Sequence, residues 1–73
     1  MSLNTIQIGQ EAMVKKIELN PQTLHRLRAL GMLEGTIVKV VQRKRNGTLV
    51  INLRGTRFAL GKEITRRIEV ETV

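Results

Sequence analysis

The feature that most constrains the fold is a corner near the middle of the chain, where a helical pattern ends and a strand pattern begins. Two glycines, Gly31 and Gly35, flank the apolar pair Met32-Leu33, and the β-rich run 36–41 follows at once. A glycine directly after a helix supplies the left-handed residue that ends it. The sequence therefore predicts a short helix that turns through an apolar corner into a strand.

The helix before this corner has a recognisable start and a pattern for burial. Asn20 can accept hydrogen bonds from free N–H groups of the first turn, and Pro21 suits the first helical position because it needs no N–H there. Three leucines at helical spacing predict a buried stripe along a helix over residues 21–30: Leu24, Leu27 and Leu30. A helix of about three turns is unstable alone in water, so it must pack against the strands.

Strand patterns occupy much of the remaining chain. They cover residues 12–19, 36–41, 48–53, 57–60 and 68–71. In the first segment the alternation slips between Val14 and Ile17, which predicts a strand with a bulge or bend. In the second, Val38 and Val40 share one face. Residues 61–66 are expected to form one helical or 3₁₀ turn, and the residues before Gly9 carry only a weak pattern.

Tight turns between these strands indicate the architecture. Asn46-Gly47 is the strongest hairpin signal, because a type I′ turn needs positive φ at both central residues, and Gly55 predicts the next turn. Short strands joined in this way favour a closed arrangement that removes strand edges. We predict a mainly β fold in a single domain over residues 1–73. It is a small, partly open SH3-like barrel of about five strands, with one short α-helix between the first two strands.

Charge narrows the choice of partner. The chain carries 13 Lys and Arg against six acidic residues, for a formal net charge of +7. Such a surface favours nucleic acid, an acidic protein face or the anionic inner leaflet of a membrane. The absence of cysteine fits a reducing compartment, and no apolar run reaches the roughly 20 residues that span a bilayer. We expect a cytoplasmic protein without a signal peptide.

Residues for catalysis or metal binding are scarce. Ser2 and His25 are the only serine and histidine, and most of the seven threonines fall at strand or turn positions that β-branching explains, so no nucleophile-and-base set is indicated. A zinc or non-haem iron site needs more imidazole or thiolate ligands than this chain supplies. The glycines suit caps and turns better than a phosphate-binding loop. We therefore expect no enzyme activity, no cofactor and no metal site.

Nucleic-acid binding stays open as the alternative function. Arg43-Lys44-Arg45 would place basic side chains at a hairpin tip, where they could simply protect a strand edge from aggregation. They could instead contact phosphates, together with Arg54, Arg57, Arg66 and Arg67. Base stacking is not expected, because the chain has no Trp or Tyr and Phe58 is its only Phe. The alternative is thus a small basic SH3-like nucleic-acid-binding module that contacts phosphates through charge alone.

An ordered set of motifs in this chain resembles the ferrous iron transport protein A (FeoA) family. The set comprises Arg26-Leu27-x-x-Leu30-Gly31-Met32-x-x-Gly35, Val38-x-Val40, the Gly47 hairpin, Gly55-x-x-Phe58-Ala59-Leu60 and Ile68-x-Val70. The resemblance implies an SH3-like fold and a cytoplasmic accessory role in bacterial ferrous iron uptake. Its implied partner is the FeoB-type membrane iron transporter, through the cytoplasmic GTP-binding portion. Similar domains also form the last part of the chain in iron-dependent repressors. Because the present chain has no helix-turn-helix segment, we favour a free-standing interaction module.

The apolar corner is the expected partner-binding surface. Its candidate residues are Arg26, Arg28, Leu30, Gly31, Met32, Leu33 and Gly35. Methionine suits adaptable interfaces, but Met32 is equally compatible with the core, so Leu33 is the stronger contact candidate. The predicted function is that of a non-enzymatic adaptor that binds and modulates the transporter. An arginine finger from Arg26 or Arg28, self-association and transient contact with the inner membrane surface are further options.

Overall fold

One antiparallel sheet organises the chain, and the computed structural model describes residues 1–73. The elements are a 3₁₀ turn (Leu3–Thr5), strand β1 (Glu11–Ile17), helix α1 (Pro21–Ala29), strands β2 (Ile37–Arg43), β3 (Leu49–Leu53) and β4 (Thr56–Leu60), the one-turn helix α2 (Lys62–Thr65) and strand β5 (Ile68–Thr72). The five strands pair in the order β4-β3-β2-β1-β5. The predicted mainly β fold, with a short helix between the first two strands, is confirmed.

Two register shifts bend the sheet into a partly open barrel. The pairing of β1 with β5 shifts between Val14 and Lys16, which confirms the predicted bulge. The pairing of β2 with β3 shifts between Val40 and Gln42. A bulge adds a residue to one strand and increases its local twist and bend. The outer strands β4 and β5 do not pair with each other, so the barrel keeps two edges.

Alternate strand residues fill the barrel interior. In β3, for example, Leu49, Ile51 and Leu53 are buried, whereas Val50 and Asn52 between them are only half-buried. The core contains 14 buried hydrophobic residues: Leu3, Ile6, Ala12, Val14, Leu27, Met32, Val38, Val40, Leu49, Ile51, Leu53, Leu60, Ile68 and Val70. The period of two therefore places alternate strand residues in the core, among them Val38 and Val40, which were predicted to share one face.

The N-terminal segment is part of the core, although its pattern predicts no element. Leu3 and Ile6 are fully buried, at 0% and 1% exposure. The carbonyl of Met1 accepts a hydrogen bond of 2.8 Å from the backbone N–H of Val70 in β5. The segment thus covers part of the β5 edge and leaves the outer edge of β4 free of backbone hydrogen bonds.

Arg43 fastens this segment to the end of β2. One guanidinium nitrogen donates a hydrogen bond of 2.7 Å to the carbonyl of Asn4, and the other donates one of 2.7 Å to the carbonyl of Ile6. Hydrogen bonds from a charged donor are stronger than neutral ones. Arg43 therefore has a structural role, and of the run Arg43-Lys44-Arg45 only Lys44 and Arg45 keep exposed cationic side chains that make no hydrogen bond or ion pair.

Candidate functional site

The corner is built by a helix with both ends capped. At its start, the side-chain oxygen of Asn20 accepts a hydrogen bond of 2.8 Å from the backbone N–H of Thr23, as predicted. At its end, the N–H of Met32 bonds to the carbonyl of Leu27, and the N–H of Gly31 bonds to the carbonyl of Arg28, each at 3.0 Å. This pair of bonds is the Schellman motif, and it reverses the chain at Gly31.

The reversal depends on a backbone conformation that glycine adopts most readily. Gly31 has a φ of +99°. We expect Gly31→Ala to destabilise the fold by about 1–2 kcal/mol, because an L side chain is disfavoured in the left-handed region. The added Cβ would meet only Leu53, at 3.8 Å, so crowding contributes little. Urea denaturation measures the effect.

Gly61→Ala provides the matched control. Gly61 has a φ of −68°, and an added Cβ would have no atom within 4 Å. We expect this change to shift the free energy of unfolding by about 0.5 kcal/mol or less. Equal losses in the two variants would show that the left-handed cap is not what holds the corner.

The structure corrects the predicted leucine stripe. Leu27 is buried and Leu24 is half-buried, but Leu30 is 46% exposed. Helix α1 ends at Ala29, so Leu30 lies at the cap rather than on the packed face. The Schellman turn brings Met32 back toward the helix, where its side chain joins Leu27 in the core. With 2% exposure, Met32 supports the corner from inside and has almost no surface for a partner.

Leu33 points the other way and lines a groove. It is 42% exposed. The groove, which we call the apolar groove, has a volume of about 400 Å³ and is lined by Ile17, Leu24, Arg28, Leu33 and Glu34. Three of these five residues are apolar, and Arg28 and Glu34 supply one charge of each sign. The arrangement suits an aliphatic side chain with polar groups at its edge.

The predicted site residues are only partly brought together here. Arg28 and Leu33 line the apolar groove, whereas Arg26 and Leu30 are exposed outside its lining. Sequence reasoning did not assign Ile17 or Leu24 to the groove. The broken alternation of apolar and polar residues near Ile17 was the sequence signal available for this part of the groove. A bulge changes the direction in which side chains point, and bulges are frequent next to binding sites.

A second groove lies on the other side of the corner. This polar groove has a volume of about 450 Å³ and is lined by Glu11, Gly35, Thr36, Ile37, Lys39, Asn52, Arg54 and Gly55. Of the predicted site residues it contains Gly35, whose φ is +89°. The groove lies on the outer face of the sheet, where Lys39 of β2 is directly opposite both Glu11 of β1 and Asn52 of β3.

The turn at Asn46-Gly47 differs from the predicted type, whereas the turn predicted at Gly55 is confirmed. Asn46 does not adopt positive φ; only Gly47 does, and Lys44 bonds across a three-residue loop to Thr48 at 2.8 Å. The side chain of Asn46 accepts a hydrogen bond from the Thr48 N–H, which favours this wider loop. The two-residue turn with positive φ at both positions is instead Arg54-Gly55, between β3 and β4.

Metal-ligand clusters and membrane-spanning helices are two further features that bear on function. No three or more His or Glu side chains come close enough together to hold a metal ion. None of the helices has both the length and the apolar character needed to cross a membrane.

Known proteins share this fold and part of its sequence. The FeoA domain model matches residues 1–72. A protein of Methanocaldococcus jannaschii with the curated name "Putative Fe(2+) transport protein A" is 35% identical over 63 residues, which are 86% of this chain and 76% of that relative. The solution structure of iron(II) transport protein A from Clostridium thermocellum matches all of this chain with a TM-score of 0.93 and 27% identity. This chain spans 46% of that solved chain.

A manganese-dependent transcriptional repressor shares the fold alone. Its TM-score is 0.91 at 21% identity, and this chain covers 36% of the repressor. The family model, by contrast, matches all but the final residue of the present chain, and the archaeal relative is aligned over most of both proteins. The resemblance inferred from the ordered motifs is confirmed, and the chain belongs to the FeoA domain family.

Proposed function

We propose that this protein is a non-enzymatic, cytoplasmic accessory protein of ferrous iron uptake. It binds the cytoplasmic GTP-binding portion of an FeoB-type membrane iron transporter and modulates that transporter. Family membership and the iron(II) transport names of two relatives support the iron-uptake context. The observation that carries the binding role is Leu33, a large aliphatic side chain left 42% exposed at the rim of a mostly apolar groove.

Burial of this surface would stabilise a complex. Full burial of a leucine side chain contributes about 1.5–3 kcal/mol, and the exposed part of Leu33 retains a corresponding share of that free energy for a partner. The rigid Schellman corner fixes the side chain before binding, which lowers the entropy lost on association. We infer that Leu33 is the anchor and that Ile17 and Leu24 form the wall that receives the partner's aliphatic side chain.

Charge would steer the encounter. The chain carries a net charge of +7, and neither Arg26 nor Arg28 takes part in an ion pair. Unpaired cations beside an apolar anchor accelerate association with an acidic surface and make it sensitive to salt. The same net charge supports transient contact with the anionic inner membrane surface close to the transporter.

Calorimetric titration with the GTP-binding portion of the same organism's transporter tests the proposal. We expect a dissociation constant in the region of 1–100 μM, as for transient complexes with small interfaces, in the GDP-bound or GTP-analogue-bound form. The rate of GTP hydrolysis in the same samples tests the arginine-finger option, which requires that the wild-type protein increase this rate.

Duplex DNA and RNA serve as parallel ligands for the alternative function. The basic nucleic-acid-binding module requires tight binding at low salt that weakens steeply as salt rises. Nucleic-acid binding of this kind, together with no binding to the GTP-binding portion, would overturn the accessory role. The role of Arg43 in holding the N-terminal segment already weakens the nucleic-acid alternative, because that cation is engaged within the chain.

A further inference from the structure

The apolar and polar grooves are neighbours across the corner. Glu34 lines the apolar groove, and the next residue, Gly35, lines the polar groove. Four Cα–Cα steps of about 3.8 Å separate Leu33 in one groove from Ile37 in the other, a span of at most about 15 Å. A turn closed by a 3.1 Å hydrogen bond from the Thr36 N–H to the Leu33 carbonyl shortens this span further, so about five or fewer residues of extended chain cover it. One short segment of a partner is therefore long enough to occupy both grooves.

The polar groove has unbalanced positive charge. Lys39 and Arg54 line it together with a single carboxylate, that of Glu11. No ion pair in the structure includes any of these three groups. The side-chain oxygen of Asn52 in the same groove is buried and has no hydrogen-bond donor. Such an atom is uncommon in native structures. The groove thus has one more positive than negative side chain, which favours an anionic ligand.

Arg54 occupies a backbone position that does not favour arginine. Its φ of 53° makes it the one non-glycine residue of the chain in the left-handed region. The first position of a type I′ turn strongly prefers Asn, Asp or Gly. Strained residues of this kind concentrate at binding sites, where the side chain serves a role that offsets the strain. Arg54 stands at the edge of the polar groove, which gives its charge such a role.

We propose that the two grooves together bind one extended segment of the partner protein, with an aliphatic side chain in the apolar groove and an acidic side chain about four residues away against Lys39 and Arg54. The inference rests on the proposed function and deepens it, because it defines the chemistry of the segment that the corner recognises. Charge complementarity selects the acidic residue.

Two short peptides test the proposal by NMR titration of the labelled protein. The first is acetylated and amidated, with one leucine, one glutamate four residues later and serine elsewhere; the second has lysine in place of glutamate. We expect the glutamate peptide to bind about fivefold more tightly at low salt and to shift amides of both grooves. The preference should shrink as salt rises. Equal affinities, or no binding of either peptide, would overturn the proposal.

Variants of the polar groove make the test specific. Lys39→Glu combined with Arg54→Glu should reverse the peptide preference, whereas two changes of the same kind at Lys44 and Arg45 in the hairpin loop should leave it intact. Arg54→Asn should reduce the preference and raise Tm by about 4 °C, because asparagine relieves the left-handed strain. A preference that persists in the Lys39/Arg54 variant would contradict the assignment.

The acidic-segment inference and the proposed transporter role can fail independently, and the experiments distinguish the two failures. If the GTP-binding portion binds the wild type and the Lys39/Arg54 variant equally well, the transporter role stands and the acidic-segment inference fails. If the glutamate peptide is preferred but the GTP-binding portion does not bind, the segment chemistry stands and the partner is a different protein.

Discussion

Leu33→Glu is expected to weaken binding of the transporter's GTP-binding portion at least about tenfold while leaving the fold intact. The substitution removes the exposed aliphatic anchor and places a second carboxylate beside Glu34 at the rim of the apolar groove. Loss of the aliphatic contact and burial of a carboxylate against the partner together exceed the roughly 1.4 kcal/mol that a tenfold change requires. Because Leu33 is 42% exposed, the free energy of unfolding should change by about 0.5 kcal/mol or less.

Ile8→Glu is the matched control for this change. Ile8 is 61% exposed and lines neither groove, so the same exchange of an aliphatic side chain for a carboxylate should leave the affinity almost unchanged. Calorimetry on both variants, with urea denaturation to verify folding, gives the comparison. Equal affinities of the Leu33 variant and the wild type would remove the corner from the binding surface.

Leu3→Ala is expected to destabilise the protein by about 2–5 kcal/mol, the range for removing a fully buried leucine side chain. A domain of this size has a total stability on the order of 4–11 kcal/mol, so the variant would lose a large part of it. Small domains bury a limited fraction of their surface, and each core side chain therefore matters more.

Leu30→Ala is the same substitution at a position that the sequence pattern assigned to the core. Because Leu30 is 46% exposed, we expect a loss of about 1 kcal/mol or less. Chemical denaturation of the two variants measures the difference directly. A larger loss for Leu30 than for Leu3 would mean that the helix, rather than the N-terminal segment, completes the core.

The regular elements were predictable because each has a local physical cause. The alternation in β3 follows from the period of two, and the start and end of α1 follow from Asn20, Pro21 and Gly31. The bulge in β1 left a visible slip between Val14 and Ile17. These signals depend on neighbours in sequence, so one chain contains enough information to find them.

The remaining features depend on tertiary contacts that sequence periodicity does not encode. Leu3 and Ile6 lie on a 3₁₀ turn and its flank, held by hydrogen bonds from Arg43, 37 or more positions away. The roles of Leu30 and Met32 were decided by where the Schellman turn reversed the chain. Arg54 in a left-handed turn contradicts the local preference for Asn or Gly and could not be expected from propensity.

The candidate site also has one part that the sequence predicts and one part that only the folded structure defines. Exposure of Leu33 was predictable from the two-residue corner, because Met32 takes the inward position. The polar groove was not predictable, since Glu11, Lys39 and Asn52 meet only through the register of three strands. Cross-strand register requires the folded sheet, and a shift of one residue would move these side chains to the other face.

The most direct test of the central claim is an amide NMR titration of the labelled protein with the transporter's GTP-binding portion. The account predicts shifts concentrated at the residues of the two grooves, with Leu24, Arg28 and Leu33 foremost, and weak or absent shifts in Leu33→Glu. Shifts centred on Lys44 and Arg45, or no shifts in the wild type at protein concentrations where a 100 μM complex would form, would contradict it.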